Sequence, residues 1–379
     1  MFGHGSYMSR KKKIIEEPIK KYYSLEKIQK EKAHYNIIIG ERSNGKTYSV
    51  EEYAIMKFFE SGWQLGLIRR YELDFTGKRG QSMFESLVKN GVVKKYSKNV
   101  YDNITYYSSR WYFSKYDDKA KKNVLSPKPF AYAFSLNSGE HDKSTSYPDV
   151  KIVFFDEFIS RNGYLPDEFI LFMNTLSTIV RDRIDVEIYM LANTISKFCP
   201  YFSEMGLTNI TKMEQGTIDV YKYGESELKV AVERCKPNKE GKKSDTLFAF
   251  NNPKLEMITH GGWEIALYPH LPCKYKRLDI KFIFYIEFND HLFQCEIIRI
   301  GRTIDFLYIH KKTTMLKLGK RDIIFSNKIS NQKNYIRRIT APQTDIQRKI
   351  LKYFMYDKVF YQDNEIGEII RNYLIWCKS

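Results

Sequence analysis

The chain has 379 residues, a formal net charge of +17, 43% hydrophobic residues and 28% charged ones. That length is too great for one ordinary core and sufficient for two, so a large domain and a smaller one are expected. The cysteines, Cys199, Cys235, Cys273, Cys295 and Cys377, are scattered, with no Cys-x-x-Cys pair or zinc-ligand spacing. This argues against a disulfide framework or a zinc site and for a reducing cytoplasm.

A basic segment, Ser9 to Lys13, has no apolar stretch after it, and nowhere does the chain offer the roughly 18 apolar residues in a row that a membrane span needs. A soluble protein, neither secreted nor spanning, is expected. The positive excess continues through 119–122, 236–277, 310–312 and 337–338. It suits a polyanionic partner, nucleic acid before membrane, unless it serves only to solvate the surface. Residues 1–7 carry no weight in the expected fold.

From about residue 30 to 200, short apolar runs alternate with helical spacing, the pattern of a parallel α/β sheet. The expected strands are 35–39, 64–69, 130–136, 151–155 and 187–192. After the first strand a helix is predicted from Gly45 to about Glu60, stopped by Ser61-Gly62. Beyond residue 230 the chain turns charged and rich in Pro and Gly, and 231–270 is expected to connect two domains. From Leu278 three β-rich runs follow, with turns at Asn289-Asp290 and Gly301-Arg302, and then helical spacing from Thr344 to Trp376. The expected domains are therefore 1–230 and an α+β domain over 271–379.

Gly40-Glu41-Arg42-Ser43-Asn44-Gly45-Lys46-Thr47 matches G-x-x-x-x-G-K-[ST] in full. Glycines at Gly40 and Gly45 let the backbone, including Arg42, Ser43 and Asn44, turn its N–H groups toward phosphates. Lys46 reaches the β- and γ-phosphates of ATP, and Thr47 ligates Mg²⁺. A strand before and a helix after are the context this chemistry requires. Tyr22-Tyr23, just upstream, are candidates to flank the adenine ring.

A second element is the apolar run 151–155 ending in Asp156-Glu157. Two carboxylates at the C-terminal edge of a parallel sheet lie where ligands bind in open α/β folds. Asp156 would hold Mg²⁺, and Glu157 would orient and polarise the attacking water. A third element contains Arg181 and Arg183 before a further strand, with Asn193 at that strand's end, level with Asp156. Asn193 is either a phosphate or water ligand or a turn cap. Arg181 is either a surface arginine or a source of transition-state charge, in a neighbour's site if subunits form a ring.

Taken in order, "GERSNGKTYS", "LIRRYELDF", "SYPDVKIVFFDEFI", "LSTIVRDR" and "LANTISKFCPYF" resemble the DNA-packaging ATPases of small podoviruses, relatives of the large terminase motors. The resemblance covers Tyr35 to Phe202 well and continues faintly through "KFIFYIEFNDH". It implies an additional-strand P-loop ATPase domain with a parallel sheet, followed by a small RNase H-like domain. It also implies a homo-oligomeric ring, a pentamer, that drives double-stranded DNA into a prohead at its portal vertex in the host cytoplasm, with a packaging RNA as a further partner.

By the same resemblance Lys46 and Thr47 are nucleotide and Mg²⁺ ligands, Asp156 the second Mg²⁺ anchor and Glu157 the catalytic acid. Arg42 matches a basic residue used near the γ-phosphate, Arg181 the arginine offered to the adjacent subunit, and Asn193 a residue coupling hydrolysis to movement. Where a relative has a lysine suggested to touch DNA this chain has Glu72-Leu73, so that role is not carried over. Lys143, in the loop before the Asp156 strand, is the pore-facing candidate, set against a solvated loop lysine.

A two-metal nuclease needs three or four converging carboxylates. Glu287, Asp290, Glu296 and Asp305 lie on or near the expected meander, but Glu287 and Asp290 have opposite parity on the pleat unless the strand ends at Phe288, and the acids stand beside clusters of Lys and Arg. A nuclease-like fold without nuclease activity is therefore expected. The competing functions are another ring ATPase, such as a helicase or secretion motor, a terminase with an active nuclease, and a nucleic-acid binder with a silent phosphate loop.

Overall fold

The computed structural model describes residues 6–8, 22–41, 44–138, 145–160, 163–193, 199–236, 267–271, 273–289, 291–301, 304–314 and 317–378. The chain divides into two compact units, 1–161 with 167–264, and 162–166 with 265–379.

The first unit opens with β1 (Ser6–Met8), α1 (Glu26–Gln29), β2 (Tyr35–Gly40), α2 (Lys46–Ser61) and β3 (Gln64–Arg69). Short helices α3 (Lys78–Ser82), α4 (Glu85–Lys89) and α5 (Val92–Tyr96) lead to β4 (Asn103–Tyr107), β5 (Arg110–Asp117), β6 (Lys122–Leu125) and β7 (Ala131–Ser135). Then come β8 (Val150–Asp156), α6 (Glu168–Val180), β9 (Glu187–Asn193), α7 (Pro200–Glu204), β10 (Thr217–Lys222) and β11 (Lys229–Arg234).

These strands form one sheet in the order β1-β10-β11-β2-β9-β8-β3-β7-β5-β4, with β6 on β5. Its centre, from β11 to β7, is parallel, and both margins are antiparallel. Continuous apolar runs account for this centre: β2 is buried from Asn36 to Gly40, and β8 at all but Lys151, as strands covered on both faces must be. Helix α2 buries Lys46, Val50, Glu51, Ala54 and Ile55, one stripe at helical spacing, and ends at Gly62 in the left-handed region at φ 72°. Aromatic rings fill the space between α2 and the β5 side of the sheet, where Phe113 and Phe130 stack at 4.6 Å and Trp111 is fully buried.

The expected strands are all present, and so is the parallel α/β class. Strand β9 stands between β2 and β8, so the strand that feeds the glycine-rich loop and the strand that ends in Asp156 are not neighbours. That inserted strand is the additional strand expected of the fold. Two local expectations change. The boundary set at 230 falls inside β11, which pairs with β2 from Val230 to Arg234. Ser6–Met8, given no weight in the sequence, pairs with β10. The expected connecting region lies largely outside the described residues.

The second unit contains β12 (Ile280–Phe288), β13 (His291–Ile300), β14 (Ile304–Lys311), β15 (Ile324–Ser326), β16 (Tyr335–Ile336) and β17 (Val359–Tyr361). Their order is β16-β15-β12-β13-β14-β17. The expected meander is thus extended by parallel β15 and β16 beside β12, the strand order of an RNase H-like fold, and by β17 at the other edge. Asn289 and Gly301 make its turns at positive φ. Two helices follow, Asp345–Met355 and Asn364–Lys378, the first started by a Thr344–Gln347 capping box. Phe288 meets Tyr373 of the last helix at 5.6 Å between ring centroids, which seats that helix on the buried face of the sheet.

Candidate nucleotide site

The site lies at the C-terminal ends of β2, β9 and β8. Gly45 sits at φ 90°, and a Cβ there would approach Tyr22 Cβ to 3.3 Å, so the turn into α2 requires glycine. A Cβ on Gly40 would lie 2.8 Å from Cys235 Cβ, so the loop also leaves β2 through a gap that admits no side chain. Lys46 opens α2 and is almost entirely buried, and burial pushes its ammonium below the ordinary lysine range. Its Nζ donates to the Glu41 carbonyl at 2.7 Å, to Asn44 Oδ1 at 3.1 Å and to Asn193 Oδ1 at 3.5 Å. Each acceptor is neutral.

Thr47 Oγ1 lies 3.5 Å from Asp156 Oδ1, so a hydroxyl and a carboxylate oxygen face each other across the strand ends. Two hard oxygen donors so placed fit a Mg²⁺ ion. Burial pushes the Asp156 carboxyl above the usual range, while Arg69 draws it back. Glu157 follows in the left-handed region at φ 58°, an unfavourable conformation for a residue with a Cβ. It is held there from two sides. Phe158 N–H donates to the Leu191 carbonyl on β9 at 3.2 Å, and Arg70 donates to the carbonyls of Glu157 at 3.3 Å and Phe158 at 2.9 Å.

The register moves Asn193 from its expected level. It pairs with Gly40, whereas Asp156 pairs with Leu191, so Asn193 stands beside the phosphate loop and above the acid pair. Arg181 caps α6 at φ 51° and is exposed, and its guanidinium donates to the Thr145 carbonyl at 3.1 Å. Among the described residues its hydrogen bonds reach neither Lys46 nor the acid pair. Arg183 instead gathers the carbonyls of Tyr147, Pro148, Val150, Ile179 and Val180, a structural role. Arg42, Ser43 and Lys143 lie outside the described residues.

Tyr23 clasps the loop rather than presenting its ring for a base. Its N–H donates to the Asn44 carbonyl at 3.0 Å, its carbonyl accepts from Ser49 Oγ at 2.6 Å, and its hydroxyl donates to Glu233 at 2.6 Å. Tyr22 is left as the exposed ring beside Gly45.

Sequence inspection passed over the arginine pair at the end of β3. Arg69 reaches Asp156 Oδ2 at 2.9 Å and Glu157 Oε2 at 3.1 Å. Arg70, on the opposite face, grips the buried Glu168 at 2.7 and 2.8 Å. The available signal was two adjacent cations closing an apolar strand, which alternation must send to opposite faces. Glu51, one turn after Thr47, was also unforeseen. It is buried, and burial with the nearby Asp156 charge pushes its carboxyl well up, against the pull of Arg69.

In the second unit the meander acids are engaged separately. Glu287 accepts from Ser326 Oγ at 3.0 Å and Lys328 Nζ at 2.9 Å. Glu296 accepts from Tyr275 and Gln294, each at 2.6 Å, and lies 3.3 Å from His310 Nε2. Asp305 pairs with Arg299 at 2.8 Å. Asp290 lies outside the described residues, among which no cluster of three or more His, Cys, Asp or Glu fits a metal ion.

A glycine-rich loop between a buried strand and a helix, an inserted strand, and an acid pair on the next strand define a P-loop nucleotide-binding fold of the additional-strand class. The family model for the Podovirus DNA encapsidation protein (Gp16) matches residues 19–222, more than half of the chain, and the chain belongs to that family. It is 27% identical over 175 residues to the DNA packaging protein of Bacillus phage B103, covering 45% of this chain and 48% of that protein. To the DNA packaging protein of Bacillus phage phi29 it is 27% identical over 184 residues, 48% of this chain and 49% of that one. The chain thus spans about half the length of these relatives. The bacteriophage Phi-29 viral genome packaging motor assembly has the same fold, with a TM-score of 0.56 at 20% identity over 93% of this chain and 97% of that one.

Proposed function

We propose that this protein is an ATP-hydrolysing ring motor that moves double-stranded viral DNA into a preformed prohead. The observation that carries this is the convergence of Lys46, Asn193, Thr47 and Asp156 across three adjacent strand ends, in a chain of the encapsidation family. Lys46 binds the β- and γ-phosphates, and Thr47 with Asp156 would hold Mg²⁺, which neutralises phosphate charge when bound. Glu157, exposed beside this pair and fixed at its backbone by Arg70, orients and deprotonates the attacking water. Asn193, level with Gly40, contacts Lys46 and so is placed to register the γ-phosphate and pass its loss to β9.

Arg181 donates to the Thr145 carbonyl and, among the described residues, to neither Lys46 nor the acid pair, which suits an arginine presented to an adjacent subunit of a closed ring. Arg42 near the γ-phosphate and Lys143 toward the DNA complete the proposed roles. The partners are double-stranded DNA, the portal vertex of the prohead in the host cytoplasm, a packaging RNA, and further copies of the chain. The +17 charge suits the polyanions among them. The second unit serves docking rather than cleavage: among the described residues Glu287, Glu296 and Asp305 are held by separate partners and form no metal cluster, whereas a two-metal nuclease needs converging carboxylates.

The test is ATP turnover by the full chain with and without duplex DNA and proheads, beside Lys46→Ala. Turnover stimulated by duplex and lost with Lys46 supports the motor. Stimulation by single strands alone, or unwinding of a duplex, would replace it with a helicase.

A further inference from the structure

We infer that Asn44 is an internal stand-in for a phosphate oxygen, which an incoming nucleotide must displace before the loop can hold it. This rests on the nucleotide-site assignment above and adds a control of affinity within that site.

Asn44 Oδ1 accepts both the Lys46 backbone N–H, at 3.3 Å, and the Lys46 ammonium, at 3.1 Å. Those are two of the donors that a phosphate-binding loop gives to the β-phosphate. A phosphate oxygen and Asn44 Oδ1 therefore compete for one position. The amide is also clamped from behind. Asn44 is 4% exposed, and its Nδ2 and the Cys235 Sγ both crowd the point where a Gly40 Cβ would stand, at 3.1 and 3.2 Å. With its nitrogen packed at Gly40 and its oxygen on Lys46, the amide cannot turn over without breaking both Lys46 contacts.

The remaining Lys46 contacts, the Glu41 carbonyl and Asn193 Oδ1, are neutral as well. The ammonium is thus paired but not neutralised, and an anionic phosphate oxygen outcompetes an amide oxygen. The motif itself leaves position 44 open to any residue, so this self-capping is a choice of this chain.

The experiment is calorimetric titration of the full chain with Mg-ADP. Asn44→Ala, which removes the competing oxygen, should bind about tenfold more tightly than wild type, and Asn44→Ser, whose shorter hydroxyl is a weaker acceptor, should fall between the two. Asn44→Asp, which puts an anion on Lys46 and keeps the loop closed, should bind at least about tenfold more weakly. Weaker or unchanged binding by the Ala and Ser variants would overturn the inference, because the amide would then support the bound state. Should those two fail to fold, Asn44→Asp decides alone, and binding as tight as wild type overturns it. Absence of Mg-ADP binding by wild type, or equal binding by Lys46→Ala, would remove the nucleotide-site assignment itself, and the stand-in with it.

Discussion

Arg69, the last residue of β3, donates to Asp156, the last residue of β8, at 2.9 Å, with 16% and 11% of the two side chains exposed. The same guanidinium reaches Glu157 at 3.1 Å, so one cation fixes the spacing of the acid pair. Burial alone would push Asp156 further toward its neutral form, and Arg69 opposes that. Arg69→Gln should therefore lower unfolding stability by about 2 kcal/mol, the cost of a mostly buried carboxylate losing its charged donor. A urea unfolding midpoint equal to wild type would refute this, and ATP turnover should fall in parallel.

Glu157→Gln should retain Mg-ATP binding and lose turnover by roughly a hundredfold or more, the usual contribution of a positioned base. Arg181→Ala should lose turnover as well. Mixing it with Glu157→Gln should restore part of the activity, since a mixed ring pairs an intact Glu157 with an intact Arg181 from the other variant. A mixture no more active than either variant at every ratio would count against an arginine acting across subunits.

The sheet and the loop were legible because they rest on local signals. Unbroken β-branched and aromatic runs such as Ile37–Ile39 and Ile152–Phe155 read as strands buried on both faces, and glycine with Lys46-Thr47 marks the turn from the first of them into a helix. Register was not legible. Whether Asn193 stands level with Asp156 or with Gly40 depends on where β9 begins to pair, which no residue of 187–193 encodes by itself. The partners of Arg69 and Arg70 were hidden for the same reason, since Asp156, Glu157 and Glu168 lie about ninety residues away. β11 was missed because the expected boundary followed the change to charged, turn-forming residues, whereas pairing with β2 carries the strand to Arg234.

Arg70 and Glu168 form a buried ion pair at 2.7 Å, with Glu168 also accepting from Tyr201 at 3.0 Å. Removing one partner strands the other. Arg70→Ala should cost about 3–5 kcal/mol of stability, the range for a buried pair broken on one side, and Tyr201→Phe about 1 kcal/mol. Because Arg70 also holds the carbonyls of Glu157 and Phe158, a partly folded Arg70→Ala protein should turn over ATP more slowly than its folded fraction predicts. Turnover proportional to that fraction would separate Arg70 from the positioning of Glu157.

Lys328 on Glu287 leaves the nuclease-like sheet with a cation at the acid. The full chain should not cleave plasmid DNA in Mg²⁺ or Mn²⁺, and Lys328→Ala should not confer cleavage, since Ser326 and Asn327 bring no further carboxylate to that strand end. Metal-dependent nicking abolished by Glu287→Gln would refute this and restore the terminase alternative.

Glu233, the partner of the Tyr23 hydroxyl, gives stability a pH dependence. It lies on β11, 6% exposed, and burial pushes its carboxyl from an ordinary 4.5 up to about 7, against the hydrogen bond from Tyr23 and the charge of Lys27. Between those values the folded protein keeps a proton that the unfolded chain has released. The stability contributed by that proton is present below pH 4.5 and is lost as pH rises to about 7. The full loss is about 3 kcal/mol. Glu233→Gln keeps an acceptor for the Tyr23 hydroxyl and removes the ionisation, so relative to wild type it should gain about 2.5 kcal/mol of stability between pH 5 and pH 8 and stay level above. Urea unfolding of both proteins at the two pH values measures it, and a difference independent of pH would show that Glu233 does not bind its proton in the folded state. Tyr23→Phe should act oppositely, weakening the protein most at pH 8, where the ionised carboxylate depends on that donor.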